Sequence, residues 1–331
     1  MRRGVLVAGG VLLALLVALG AAAAWLRTRE PMESLPRDDP SAVVVAEERT
    51  EAWRGRTLVH VALQGRAVGR VRFVVSLPDP LPPGRLPLVV ILGGLRGGSR
   101  SVRDIAQIVG DPGPNAFVGY DWPLPTREPG VGEIVRRLPE FRRSVLSVPG
   151  QVDAILAWAA RRPWADPARV SVLGFSLGAF VAPAAQRIAE ERGAAIRWTA
   201  IAYAGAPIGA VIAGHPRAGP AWLRPALGAG ADLLLHPVEP SNHLPHLRGG
   251  RFLVLGAASD RLIARPAAER LAALVPEPRT VVRIEGDHMG VGPQKWVLLA
   301  RVVDVTRAWL VEQGAIDAPA PLPARAAPAR R

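Results

Sequence analysis

Ser176, Asp260 and His288 have the side-chain types and the chain order needed to activate a hydroxyl as a nucleophile. A serine hydroxyl attacks poorly until a neighbouring imidazole takes its proton. Histidine suits that task because its ordinary pKa lies near working pH, so it accepts and returns a proton within one cycle. A buried carboxylate fixes the imidazole tautomer and stabilises the imidazolium as it forms. The chemistry these types could do together is acyl transfer from a carbonyl compound to serine and then to a second acceptor.

Their settings support that reading. Gly174-Phe175-Ser176-Leu177-Gly178 follows the apolar run Val170–Leu173 and precedes Ala179–Ala182, which predicts a buried strand, a sharp turn carrying Ser176, and a helix. Glycines two residues either side of the serine allow strand and helix to pack closely around a strained turn. Arg251–Gly256 reads as a strand whose following loop presents Asp260, and Thr280–Ile284 as a strand whose loop presents His288. Both therefore fall just past the carboxyl ends of strands, where ligands collect in parallel sheets. Asp287, adjacent to His288, is better placed to cap its own loop than to orient the imidazole.

On these residues the chain resembles the α/β-hydrolase superfamily, from about Thr57 to Gly314. Asp166-Pro167-Ala168-Arg169-Val170, leading into the elbow strand, is similar to the entry seen in dienelactone-hydrolase-like and prolyl-oligopeptidase-like members. The resemblance implies Ser176 as nucleophile, His288 as general base and then acid, and Asp260 as its orienting carboxylate. Serine stands here where dienelactone hydrolases carry cysteine. The implied oxyanion hole combines the N–H of Leu177 with one from the loop Gly93–Gly98, which follows the apolar strand Leu86–Leu92. Leu95 is the first choice of donor and Gly94 the second; the histidine often found in this loop is absent. Such a donor contributes about 3 to 4 kcal/mol to transition-state stabilisation.

Other clusters carry less. His243 and His246 have an H-x-x-H spacing, but the surrounding prolines disfavour a helix, and no further ligand follows at metal-binding spacing. No metal or other cofactor is expected. The glycine loop lacks the order and the Lys-Ser/Thr ending of a phosphate cradle. His60 reads as a structural histidine on a strand, and His215 and His236 carry no motif. Trp122, Trp164, Trp222 and Trp296 read as packing residues, with Trp222 a possible pocket wall.

The net charge of +13 comes almost wholly from arginine, with Lys295 the only lysine in 331 residues. The arginines are scattered, without the basic block or aromatic interleaving of a nucleic-acid site, so no nucleic-acid partner is expected. The chain has no cysteine, which excludes disulfides and a lipid-modified cysteine. Arg2 and Arg3 precede the apolar run Val5–Leu26, long enough to cross a bilayer. Residues 1–29 are read as a membrane anchor with the rest of the chain outside the cytoplasm; cleavage near Ala21–Ala24 and secretion is the alternative.

The elements that must position these groups follow from periodicity. Residues 30–40 read as a charged linker. The body, 41–314, opens with an antiparallel pair, Thr57–Leu63 and Val68–Leu77. Ala116–Tyr120 and Arg197–Ala204 add strands, and Gln151–Arg161, Pro266–Leu274 and Trp296–Glu312 are helices. Strands alternating with helices predict an α/β class: an α/β-hydrolase fold with a mostly parallel central sheet covered on both faces. An insert at 207–250 reads as a small cap whose composition suits apolar acyl groups. Residues 315–331, rich in Ala, Pro and Arg, read as a disordered tail. The expected activity is hydrolysis of a carboxylic ester, a small-molecule substrate, through an acyl-enzyme. Peptide cleavage, acyl transfer or a noncatalytic binding protein on the same fold remain open, as does the oligomeric state.

Overall fold

The structure, a computed structural model, describes residues 24–94, 98–124, 136–216, 218–289 and 292–319. Residues 1–23, nearly all of the expected anchor, and 320–331 of the expected tail lie outside them. No helix among the described residues is long and apolar enough to cross a membrane.

Among the described residues nine strands form one sheet. They are β1 (Val44–Trp53), β2 (Arg56–Gln64), β3 (Arg70–Pro78), β4 (Leu86–Leu92), β5 (Ala116–Asp121), β6 (Ala165–Phe175), β7 (Ile196–Ala202), β8 (Arg251–Ala257) and β9 (Arg279–Ile284), in the spatial order β1-β2-β3-β5-β4-β6-β7-β8-β9. The first three, and β3 against β5, pair antiparallel. From β5 through β4 to β9 every pairing is parallel. The central strand β4 is buried along its whole length, which is why it reads as an unbroken apolar run.

Among the described residues seven helices cover the sheet: α1 (Ser101–Val109), α2 (Leu138–Ala160), α3 (Leu177–Glu191), α4 (Ile208–Gly214), α5 (Arg224–Leu235), α6 (Arg265–Leu274) and α7 (Lys295–Glu312). One core gathers Val148, Val152, Ile155, Val181 and Ile188 of α2 and α3 against Val90, Leu92 and Val172. A second, on the other face, gathers Val102 of α1 and Val302, Trp309 and Leu310 of α7 against Ile91, Leu173 and Phe175. The sheet is thus covered on both faces, as the alternation of elements predicts.

Several expectations change. β1 has no counterpart in the sequence reading, because nearly all its residues are exposed and its Glu47-Glu48-Arg49-Thr50-Glu51 core carries no apolar alternation. Helix α2 begins 13 residues before Gln151 and runs through Pro149, a residue that usually interrupts a helix. Residues 30–40 are not a free linker: Met32 and Leu35 are buried, Glu30 pairs with Arg187 at 2.9 Å and Arg37 with Glu191 at 3.0 Å. The packed body also runs past Gly314, since Ala315 and Ile316 are buried and the Asp317 carboxylate meets Arg169 at 2.7 Å.

The insert 207–250 divides in two. Helices α4 and α5 form a hairpin over the carboxyl edge of the sheet, where the Glu239 carboxylate accepts from the Ile208 N–H at 2.7 Å and Asp232 from the Gly209 N–H at 2.6 Å. The remainder, with 3-10 turns at His236–Val238, Pro240–Asn242 and Leu244–His246, belongs to the body: Val238, His243 and Leu244 are buried. Of the tryptophans read as packing residues, Trp122 is buried, but Trp222 is 80% exposed and Trp296 60% exposed.

Candidate active site

The elbow is built by close approach. A Cβ at Gly174 would stand 2.7 Å from the Ala179 Cα, and one at Gly178 would overlap the Leu92 carbonyl. Only glycine at both positions lets α3 start directly off β6 and lie against β4. Between them Ser176 takes φ 52°, ψ −115°, a conformation that costs a non-glycine residue of order 1–3 kcal/mol. The surrounding packing imposes it, and the Ser176 N–H is tied to the Ala202 carbonyl of β7 at 2.8 Å.

The loops after β8 and β9 bring the other two residues to this hydroxyl. Ser176 Oγ lies 3.1 Å from His288 Nε2, and His288 Nδ1 lies 2.9 Å from Asp260 Oδ2. Asp260 is acceptor-only when ionised, so Nδ1 carries the proton and donates to it; Nε2 is then the acceptor for the serine hydroxyl. The other oxygen, Asp260 Oδ1, accepts from the Leu262 and Ile263 N–H groups at 2.8 and 2.9 Å. The His288 and Asp260 side chains are only 4% and 7% exposed, so their pairing is shielded from water.

Asp287 caps the loop, as its position suggests, and also binds across to the acid's loop. Its Oδ1 accepts from the His288 N–H at 2.7 Å and the Arg261 N–H at 3.0 Å, and its Oδ2 from Arg261 Nε at 2.6 Å. Burial pushes the Asp287 carboxyl up, but the bonds from Arg261 and His288 outweigh it and hold it below the usual range. Arg261 thus staples the loop carrying Asp260 to the loop carrying His288.

Tyr203, just past β7, completes the wall. It is buried, takes φ 61°, and stands edge-on to the His288 ring with centroids 5.2 Å apart and planes at 82°. Burial pushes its hydroxyl up to about 12, with the charge of Asp260 adding to the shift. Neither Arg261 nor Tyr203 was singled out from the sequence. The signal for Arg261 is its place directly after Asp260; nothing local marks Tyr203.

Of the expected oxyanion donors, Leu177 opens α3, whose first N–H groups have no acceptor within the helix. Gly94 lies against the serine: a Cβ there would stand 3.6 Å from the Ser176 Cβ, an ordinary contact. Leu95 lies outside the described residues. His243 does not approach the site or form a ligand cluster with His246. It is fully buried with Nε2 on the Pro237 carbonyl at 2.8 Å, and burial lowers it to about 4. His60 is half-buried against Glu51 at 3.1 Å, a structural contact.

No protein-family model matches the chain, and no curated protein matches its sequence. Solved structures do match it in shape. Acetyl xylan esterase 1 from Thermoanaerobacterium sp. JW/SL YS485 is 13% identical over 83% of this chain and 91% of its own, with a TM-score of 0.59. An acetyl xylan esterase from Paenibacillus sp. R4 is 15% identical over 83% of this chain and 90% of its own, with a TM-score of 0.57. A cold-adapted esterase from an Arctic intertidal metagenomic library is 16% identical over 78% of this chain and 97% of its own, with a TM-score of 0.54. Together with the elbow on β6 and the sheet order, these likenesses show that the chain has the α/β-hydrolase fold.

Proposed function

We propose that this chain is a serine hydrolase that cleaves a carboxylic ester through an acyl-enzyme. The observation that carries the proposal is the hydrogen-bonded line from Ser176 through His288 to Asp260, set on a strained elbow. Ser176 Oγ attacks the ester carbonyl carbon while its proton passes to His288 Nε2. The carbonyl oxygen takes the negative charge and is held by the N–H of Leu177 and by one from the loop after β4, from Leu95 or Gly94. As the tetrahedral adduct collapses, the bond to the alkoxy oxygen breaks and His288 returns the proton to the leaving alcohol. Water, deprotonated by His288, then attacks the acyl-enzyme. The acid leaves, and Ser176 recovers its proton.

Esters are favoured over amides because the solved structures of similar shape are named as esterases. An apolar acyl group is favoured by the apolar side chains of the helix that starts at the elbow, Leu177 and Phe180 of α3. The apolar run Val5–Leu26 supports attachment to a membrane, and Arg2 and Arg3 before it support the enzyme body lying outside the cytoplasm.

Fluorophosphonate labelling of the full chain, with the modified residue located by mass spectrometry, tests the reaction. The expected result is labelling of Ser176 alone, lost in His288→Ala, with turnover of short-chain nitrophenyl esters. A folded protein that neither labels nor turns over esters overturns it.

A further inference from the structure

An oxyanion donor works only if its N–H already points where the charge will develop. Gly93 and Gly94, which follow β4, have no side chains to hold that direction, and glycine restricts its backbone least of all residues. The direction has to be imposed from outside, and two consecutive residues at the end of β5 grip Gly93 and Ser99. Trp122 donates its indole N–H to the Gly93 carbonyl at 3.1 Å. Asp121 accepts from the Ser99 N–H on Oδ1 at 2.6 Å.

We infer that Trp122, through Gly93, and Asp121, through Ser99, are positioning residues that fix the backbone of Gly94 against Ser176. The inference rests on the ester-hydrolysis reading above. Strand β5 is the parallel neighbour of β4, so the end of one strand lies about 5 Å from the start of the loop that leaves the other. The Trp122 indole is 9% exposed and braced edge-on by Tyr120 at 5.6 Å. Tyr120 is in turn bonded through its hydroxyl to Gln151 of α2, whose carboxamide donates to the Val68 carbonyl at 2.7 Å. Ser99 is seated as firmly. Ser101 Oγ donates to the Gly98 carbonyl at 2.8 Å, and the backbone of Ser99 lies so close to Gly119 of β5 that a Cβ there would stand 3.0 Å from the Ser99 carbonyl oxygen.

The bond from Trp122 is more than the usual requirement of a buried indole. Trp158 and Trp198 are equally buried, and their Nε1 atoms have no partner among the described residues. This protein therefore tolerates tryptophans that only pack. Trp122 differs in aiming its N–H at the carbonyl that opens the candidate oxyanion loop.

Trp122→Phe removes the N–H and keeps an aromatic ring; Asp121→Ala removes the acceptor, and Asp121→Asn keeps a carboxamide oxygen that can still accept from Ser99. Each is made in the full chain. The readouts are kcat and KM on a short-chain nitrophenyl ester, inhibition by a trifluoromethyl ketone that adds to Ser176 and forms an oxyanion, and thermal unfolding. Trp122→Phe and Asp121→Ala are expected to lower kcat and ketone affinity together by roughly 10- to 100-fold. KM is expected to stay within about twofold, since the loss is confined to the transition state. Asp121→Asn is expected to recover most of both. Full kcat and unchanged ketone affinity in Trp122→Phe and Asp121→Ala overturn the inference, and so does a loss that follows only the folded fraction. If Trp122→Phe fails to fold, the Asp121→Ala and Asp121→Asn pair decides the question by the same readouts. An unaltered chain inert to both ester and ketone overturns the ester reading and this inference with it; an active one with indifferent variants overturns this inference alone.

Discussion

His288 and His243 are both nearly inaccessible to solvent, at 3% and 0% exposure, yet their surroundings prepare them for opposite behaviour. His288 has a carboxylate on one ring nitrogen and a hydroxyl on the other, so a proton arriving at Nε2 meets a compensating charge at Asp260. His243 has a backbone carbonyl on Nε2 and no partner for Nδ1 among the described residues. Burial holds it neutral, with its pKa down at about 4. Burial alone says nothing about chemistry; the partner on the second nitrogen separates a general base from a core residue.

The contrast is broken or sharpened most strongly at His288. His288→Ala is expected to lower kcat/KM by about 10⁵- to 10⁶-fold at temperatures where the variant stays folded. Asp260→Asn leaves the geometry but favours the wrong tautomer, and a loss of about 10⁴-fold in kcat is expected from steady-state assays. His243→Ala reverses the pattern: a loss of about 2 to 4 kcal/mol in denaturant unfolding from the cavity it leaves, with kcat retained at temperatures where the protein stays folded.

The pH dependence of stability singles out His243. The folded pKa of His243, about 4, lies below its ordinary 6.5, so its contribution to stability is complete above pH 6.5 and lost as pH falls toward 4. The loss amounts to about 3 kcal/mol over that interval. Unfolding of the unaltered chain followed at pH 7 and pH 4.5 is expected to show it, and His243→Ala to flatten it. The smallest effect belongs to Arg261→Ala. Its guanidinium is 77% exposed, so cutting the staple to Asp287 is expected to cost under about 1 kcal/mol of stability and a few-fold in kcat. Because Asp287 is held below the usual carboxylate range, its contribution is present above that range and disappears as pH falls through the lowered value.

What could be read from the chain beforehand follows from the same distinction. In the proposed reaction Ser176, Asp260 and His288 act through their side chains, whose types survive in the sequence, and each sits past a strand that is apolar enough to recognise. The glycines at 174 and 178 were legible because a close approach admits no other residue. The oxyanion side acts through backbone N–H groups that any residue supplies, so Leu95 and Gly94 were choices by position, and the grip of Asp121 and Trp122 on that loop left no local mark. Strand β1 escaped notice because an exposed, charged edge shows no apolar alternation. Met32 and Leu35 were hidden among the charges and prolines of residues 30–40, where two apolar side chains set no period. Ala315 and Ile316 were hidden by the composition of the residues after them.

The packing of residues 30–40 has a mechanical consequence. With Met32 and Leu35 buried and Glu30 and Arg37 paired to α3, the body is mounted on its amino-terminal arm and cannot swivel around it as on a leash. The bearing point is Arg187, ten residues beyond Leu177, which places it about 15 Å along α3 from the elbow. Residues 30–37 and the serine are thereby held at a set reach and a set angle from each other.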